Sequence, residues 1–197
     1  MDEKYKKFNY IALTAGILTI LLIAASFFVP WWQLSIGNPA IAQANFSPVN
    51  YNFTLFNTML TVPLIWAINL ATLLTLLAGG IALLIYSIFP NKSFSKPLLG
   101  FGYKKPLYAV ILFLLGLTVT YISITLFTGI SFPLVGVSKL GLPSSIISTG
   151  LNISVSVTAG FGWTFFLSIV VVALCIRLSL RQRNGICRGF RPSLLQV

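Results

Sequence analysis

The chain has 197 residues, of which 57% are apolar or aromatic and only 8% charged, against roughly a quarter charged in an ordinary soluble domain. Thirteen residues are Lys or Arg, two are Asp or Glu, and none is His. This balance excludes a soluble globular enzyme, a disordered chain and a disulfide-stapled secreted domain, and leaves an integral membrane protein.

A bilayer core of about 30 Å needs about 20 mainly apolar residues in a helix rising about 1.5 Å each. Four segments meet that requirement: about 10–32, 63–89, 106–128 and 159–178. The fold class expected is a membrane all-α, antiparallel four-helix transmembrane bundle forming one domain. The first run exceeds the h-region of a cleaved leader, so it reads as a retained span.

Segments 1–9, 90–105 and 179–197 then share one side and, with Arg177 at the adjoining end of the fourth span, account for twelve of the thirteen basic residues. The positive-inside rule makes that side cytoplasmic, with both termini there, in the cell membrane. Lys104, Lys105, Arg177, Arg181 and Arg183 are the cations closest to span ends, facing the anionic lipids of the inner leaflet. The net charge of +11 is thus a topology signal, with no nucleic-acid partner implied.

Trp31, Trp32, Trp66 and Trp163 fall at the outer ends of spans and read as interfacial aromatic anchors. Small residues recur at helical spacing, and Gly16, Gly79, Gly116, Gly160 and Thr164 read as helix-packing positions, where missing side-chain bulk lets backbones approach. Asn69, deep in the second span, is the costliest intramembrane polar group and is expected to hydrogen-bond to a neighbouring helix.

The outer connections, 33–62 and 129–158, exceed simple turns. Leu151–Thr158 alternates apolar and polar residues, and Val49–Phe56 nearly does. Both read as half-buried strands. A lone strand is unstable, so the two loops are expected to form a small antiparallel sheet resting on the helix ends. Across both loops Lys139 is the only charge. Asn45, Asn52 and Asn152 stand in N-x-S/T acceptors on this side.

Catalysis near neutrality draws on His, carboxylates, metals or activated thiols. The two acids are adjacent at the N-terminus, and the two cysteines are too few for a zinc site. No enzymatic activity, cofactor or small-molecule substrate is expected.

Pro30-Trp31-Trp32 at the exit of the first span and Gly162-Trp163 at the start of the fourth resemble the Pro-x-Trp and Gly-Trp elements of the claudin and peripheral-myelin-protein superfamily. Within the resemblance, Pro30, Trp32, Gly162 and Trp163 are the matching positions. The family's Gly-Leu-Trp and paired loop cysteines are absent. The resemblance implies a claudin-like fold more than a tight-junction function. The role expected is structural or adhesive, through self-association or contact with surface partners. Alternatives are an accessory subunit of a larger membrane complex, or an oligomeric pore. Partners are membrane lipids and either further copies of the chain or other membrane proteins.

Overall fold

The computed structural model describes residues 9–38, 40, 42–49, 51–55, 58–60, 63–128, 133–141 and 154–189. Asn152 lies outside them. In chain order the elements are α1 (Tyr10–Ser26), β1 (Trp32–Ile36), β2 (Ala42–Phe46), β3 (Tyr51–Leu55), β4 (Thr58–Leu60), α2 (Pro63–Ile88), α3 (Ser95–Gly102), α4 (Lys104–Thr128), β5 (Gly136–Gly141), β6 (Ser154–Phe161) and α5 (Trp163–Gly189).

Among the described residues, three helical segments are long and apolar enough to cross a membrane: Pro63–Ile88, Ser95–Ser123 and Trp163–Arg181. Their outer faces carry half-exposed Leu74, Ile111, Leu115 and Val170, a surface suited to lipid rather than water. The chain is thus built as a membrane-embedded protein. The apolar helix α1, at 17 residues, is shorter than these.

The helices close a ring, with α1 on α2, α2 on α4, α4 on α5 and α5 on α1. Glycines set the closest approaches. A Cβ on Gly16 would lie 2.9 Å from the Leu84 side chain, and one on Gly116 would lie 3.0 Å from Ile68. One on Gly79 would lie 2.8 Å from Lys105 Cβ. These pairs run antiparallel, since rising numbers on one helix meet falling numbers on the next.

Hydroxyls inside the helices bond to their own backbones. Thr19, Ser26, Thr72, Thr75, Thr118, Thr120 and Thr125 each donate to the carbonyl four residues back. Each donor is thereby satisfied without a neighbouring helix. Asn69 is buried, and its Nδ2 donates to no group among the described residues.

Several boundaries differ from the expectation. The first span stops at Ser26 instead of continuing to residue 32, because Pro30 lacks an amide hydrogen and the chain turns into β1. The segment 90–105 is not a plain connector. It contains α3, whose Pro97 occupies an early helical position where no amide donor is needed, and whose Leu99 is buried. The third apolar span therefore begins at Ser95 rather than 106. The fourth helix begins at Trp163, so Gly160 is not a helix-packing residue. It lies in β6, and a Cβ there would meet nothing within 4 Å.

The two long connections do form one antiparallel sheet, in the order β4-β3-β2-β1-β6-β5. β1 pairs with β6, Trp32 opposite Phe161 and Ile36 opposite Val157, which joins the first connection to the second. The strand expected at 151–158 is β6, three residues later, and the one at 49–56 is β3. Gly37, at φ 89°, turns the chain between β1 and β2. Period-two alternation puts Trp32, Leu34, Ala44, Phe46, Val155, Val157 and Ala159 inward, all buried. Gln33, Gln43, Ser156 and Thr158 face out. The inward face rests on Leu117, Thr120 and Tyr121 of α4 across a void of only ≈ 10 Å³.

Candidate functional site

The sheet is the part of the molecule that rises from the helices, and its fastening is built around Trp31. This indole is fully buried. Its ring lies 4.8 Å from Phe113 and 6.2 Å from Phe165, tilted 55° and 63°. Phe165 in turn stacks on Phe161 of β6 at 4.4 Å. The Nε1 hydrogen is donated to Ser26 Oγ at 2.8 Å, and Ser26 passes its own hydrogen to the Leu22 carbonyl at 2.6 Å. The Trp31 amide donates to the Phe46 carbonyl at 2.7 Å, and its carbonyl accepts from the Gly162 amide at 2.9 Å. One residue thus touches α1, α4, α5 and the ends of β2 and β6, the two strands that flank β1. An indole burying 150–250 Å² contributes about 4–6 kcal/mol of apolar transfer.

Trp32 points the other way, against Phe46 at 5.8 Å, and donates from Nε1 to the Leu134 carbonyl at 2.8 Å. Trp31 and Trp32 are therefore not the interfacial anchors their position at the end of a span implies. Each has both its ring and its polar atom satisfied inside the protein, so neither reaches a headgroup. Trp66 and Trp163, by contrast, are more than half exposed, at 56% and 57%.

Two further contacts lock the junction. Ser47 donates to the Ser26 carbonyl at 2.9 Å, so β2 hangs from the end of α1. Thr164 donates to the Pro30 carbonyl at 3.0 Å, and Gly162 lies so close to that oxygen that a Cβ would overlap it. Pro30, Gly162 and Thr164 are brought together here. Pro30 and Gly162, from the exit of α1 and the start of α5, thus meet in space, while Trp32 and Trp163 point elsewhere. Ser26, Ser47, Phe113 and Phe165 were not legible as a cluster, because a buried Ser or Phe in an apolar run carries no periodic signal.

The outer face of the sheet is mainly polar and carries one charge, the exposed Lys139, which stands opposite Ser156 on the edge strand β5. A groove of ≈ 360 Å³ lies across it, lined by Gln33, Ser35, Gln43, Val137 and Thr158 among others. No lining side chain is ionisable. Gln43 Nε2 donates to Asn45 Oδ1 at 3.4 Å. Asn45 is half-buried and pairs in register with Asn52 of β3. At the sheet edge β5 exposes Val137 at 74%, beside Val135 at 62%.

Apart from Lys139 on β5, the basic residues among those described are Lys92 and Lys96, just before and in α3, and those on α4 and α5. Lys104 and Arg177 are exposed, Lys105 is half-buried, Arg181 is exposed, and Arg183 lies on the last turns of α5. No protein-family model matches this chain, and a search of curated proteins finds no matching relative.

Proposed function

We propose that this chain is a non-enzymatic, four-pass membrane protein with a structural or adhesive role, claudin-like in plan. Its outer sheet, where Lys139 is the one charge, contacts a second copy or another surface protein. Both termini and the basic ends of α4 and α5 lie on the cytoplasmic side of the cell membrane, against anionic lipid. α1 completes the bundle as a fourth, shorter crossing, because it packs between α2 and α5.

The observation that carries this reading is the fastening of the sheet. Trp31, Ser47, Gly162 and Thr164 fix a mainly polar surface, whose one charge is Lys139, to a lipid-facing bundle without any disulfide. A surface held that rigidly is pre-organised, and pre-organisation lowers the cost of contact. Exposed β5 supplies an open edge with apolar side chains, and the groove supplies neutral hydrogen-bonding groups, both suited to a protein surface. Asn45 and Asn52 are candidate glycan acceptors on the same side.

The test is cell aggregation. Non-adherent cells displaying the full chain should cluster with one another. Variant Val137→Lys should weaken clustering while surface expression is unchanged. Clustering only with cells that lack the chain points to a different surface partner. Absence of any clustering, with unrelated membrane chains co-purifying in mild detergent, replaces this reading with the accessory-subunit alternative.

A further inference from the structure

The hairpin of α2 with α3 and α4 carries two cations well away from its turn. The turn is closed by the Ser95 hydroxyl, which donates to the Phe89 carbonyl. Gly102 faces Ala82 and Leu83, and Gly79 faces Lys105 and Pro106. Lys104 and Lys105 therefore sit level with Gly79, about nine residues, or about 14 Å of helix rise, from the end of α2 at Ile88. They occupy the break at Tyr103 between α3 and α4.

Their surroundings are apolar and lipid-facing. Phe101 and Tyr108 are 45% and 49% exposed. Lys105 Nζ lies 4.6 Å from the centre of the Phe101 ring and Lys104 Nζ lies 5.9 Å from that of Tyr103. The two ammonium groups also stand in the first turn of α4, where the helix dipole adds positive potential rather than relieving it. The only acidic side chains in the sequence are Asp2 and Glu3. Cations on an apolar face need a counter-charge delivered at that depth.

We infer that the α3–α4 break binds an anionic phospholipid of the cation-rich leaflet. Its phosphate lies between Lys104 and Lys105, and its acyl chains run along Tyr108, Ile111 and Leu115. Those three residues continue the face of Lys104 at spacings of four, three and four, and each is about half exposed. The long lysine stems lie on apolar surface while their tips reach the phosphate. This inference rests on the membrane-embedded reading, but not on the adhesive role.

Native mass spectrometry of the full chain in mild detergent tests it, with phosphatidylglycerol and phosphatidylcholine as probes. Phosphatidylglycerol should be retained about 10-fold better than phosphatidylcholine. Lys104→Gln with Lys105→Gln should abolish that preference, whereas Lys104→Arg with Lys105→Arg should keep it. Lys92→Gln with Lys96→Gln should change it less than about twofold. Equal retention of the two lipids overturns the site. Equal loss in the Lys92/Lys96 variant replaces it with diffuse attraction. Displacement of phosphatidylglycerol by the same excess of glycerol 3-phosphate reduces it to a phosphate site that needs no lipid. Recovery of the chain without detergent as a monodisperse particle would instead defeat the membrane reading itself.

Discussion

Gly162 lies directly against the carbonyl oxygen of Pro30, so the start of the last long helix is seated on the exit of the first. The neighbouring Thr164 hydroxyl donates to the same oxygen at 3.0 Å. The carbonyl is thereby satisfied, although proline ends the helix before it. Only a residue without a side chain fits at 162, and the constraint is close approach rather than an unusual backbone angle.

Gly162→Ala should therefore destabilise the protein by about 1–3 kcal/mol, the cost of forcing a methyl group into packed backbone. Thermal unfolding in detergent, followed by helical circular dichroism, measures it. Gly160→Ala is the control. Open space faces that residue, so its melting temperature should stay within the range of a neutral substitution.

Trp31→Ala should cost about 3–5 kcal/mol through the cavity it leaves among Phe113, Phe165 and the sheet. Trp31→Phe keeps an aromatic ring but loses the bond to Ser26, and its hydrogen-bond component should be about 0.5–1.5 kcal/mol. Combined with Ser26→Ala, the loss should be smaller than the sum of the two single changes. Strict additivity would mean that the bond contributes nothing.

The two faces of β6 give a paired test. Val157 is fully buried, and its neighbour Thr158 is exposed. Val157→Asp buries an unpaired charge and should make the sheet sensitive to added protease. Thr158→Asp should leave protease resistance close to that of the parent. Equal sensitivity of the two would show that the strand's inward face has been misassigned.

Sidedness can be read by labelling intact cells with a membrane-impermeant thiol reagent. An introduced cysteine at Val137, exposed on β5, should be modified. One at Lys92, exposed in the turn before α3, should be modified only after the membrane is opened. The reverse pattern inverts the proposed topology.

The helices were largely legible because lipid imposes a coarse rule, and α2 matches its expected span almost to the residue. Charge patterning misled at 90–105. Lys96, Lys104 and Lys105 suggest an aqueous connector, yet α3 follows α2 back along its surface and Lys105 meets Gly79. Period two exposed β3 and β6, whose alternation is clean. β1 was hidden because Trp31-Trp32 ends an apolar run, and β2 because Ala42, Ala44 and Phe46 alternate too mildly. The junction at Trp31 stayed out of reach for a different reason. Its partners Ser26, Phe46, Phe113 and Phe165 come from distant stretches, and only tertiary folding brings them into contact. Pro30 and Gly162 could be picked out singly, but not as neighbours.

The pairing of β1 with β6 also fixes an order of assembly. Pro30 and Thr164, which meet beside it, are 134 residues apart, and α2 and α4 are synthesised in between. Until β6 has been made, the β1 edge opposite β2 has no strand to pair with. That edge is a row of open peptide groups until the final hairpin arrives. Biogenesis therefore includes an interval in which the nascent protein is exposed to mispairing. A chain cut short before β6 would keep that vulnerability permanently.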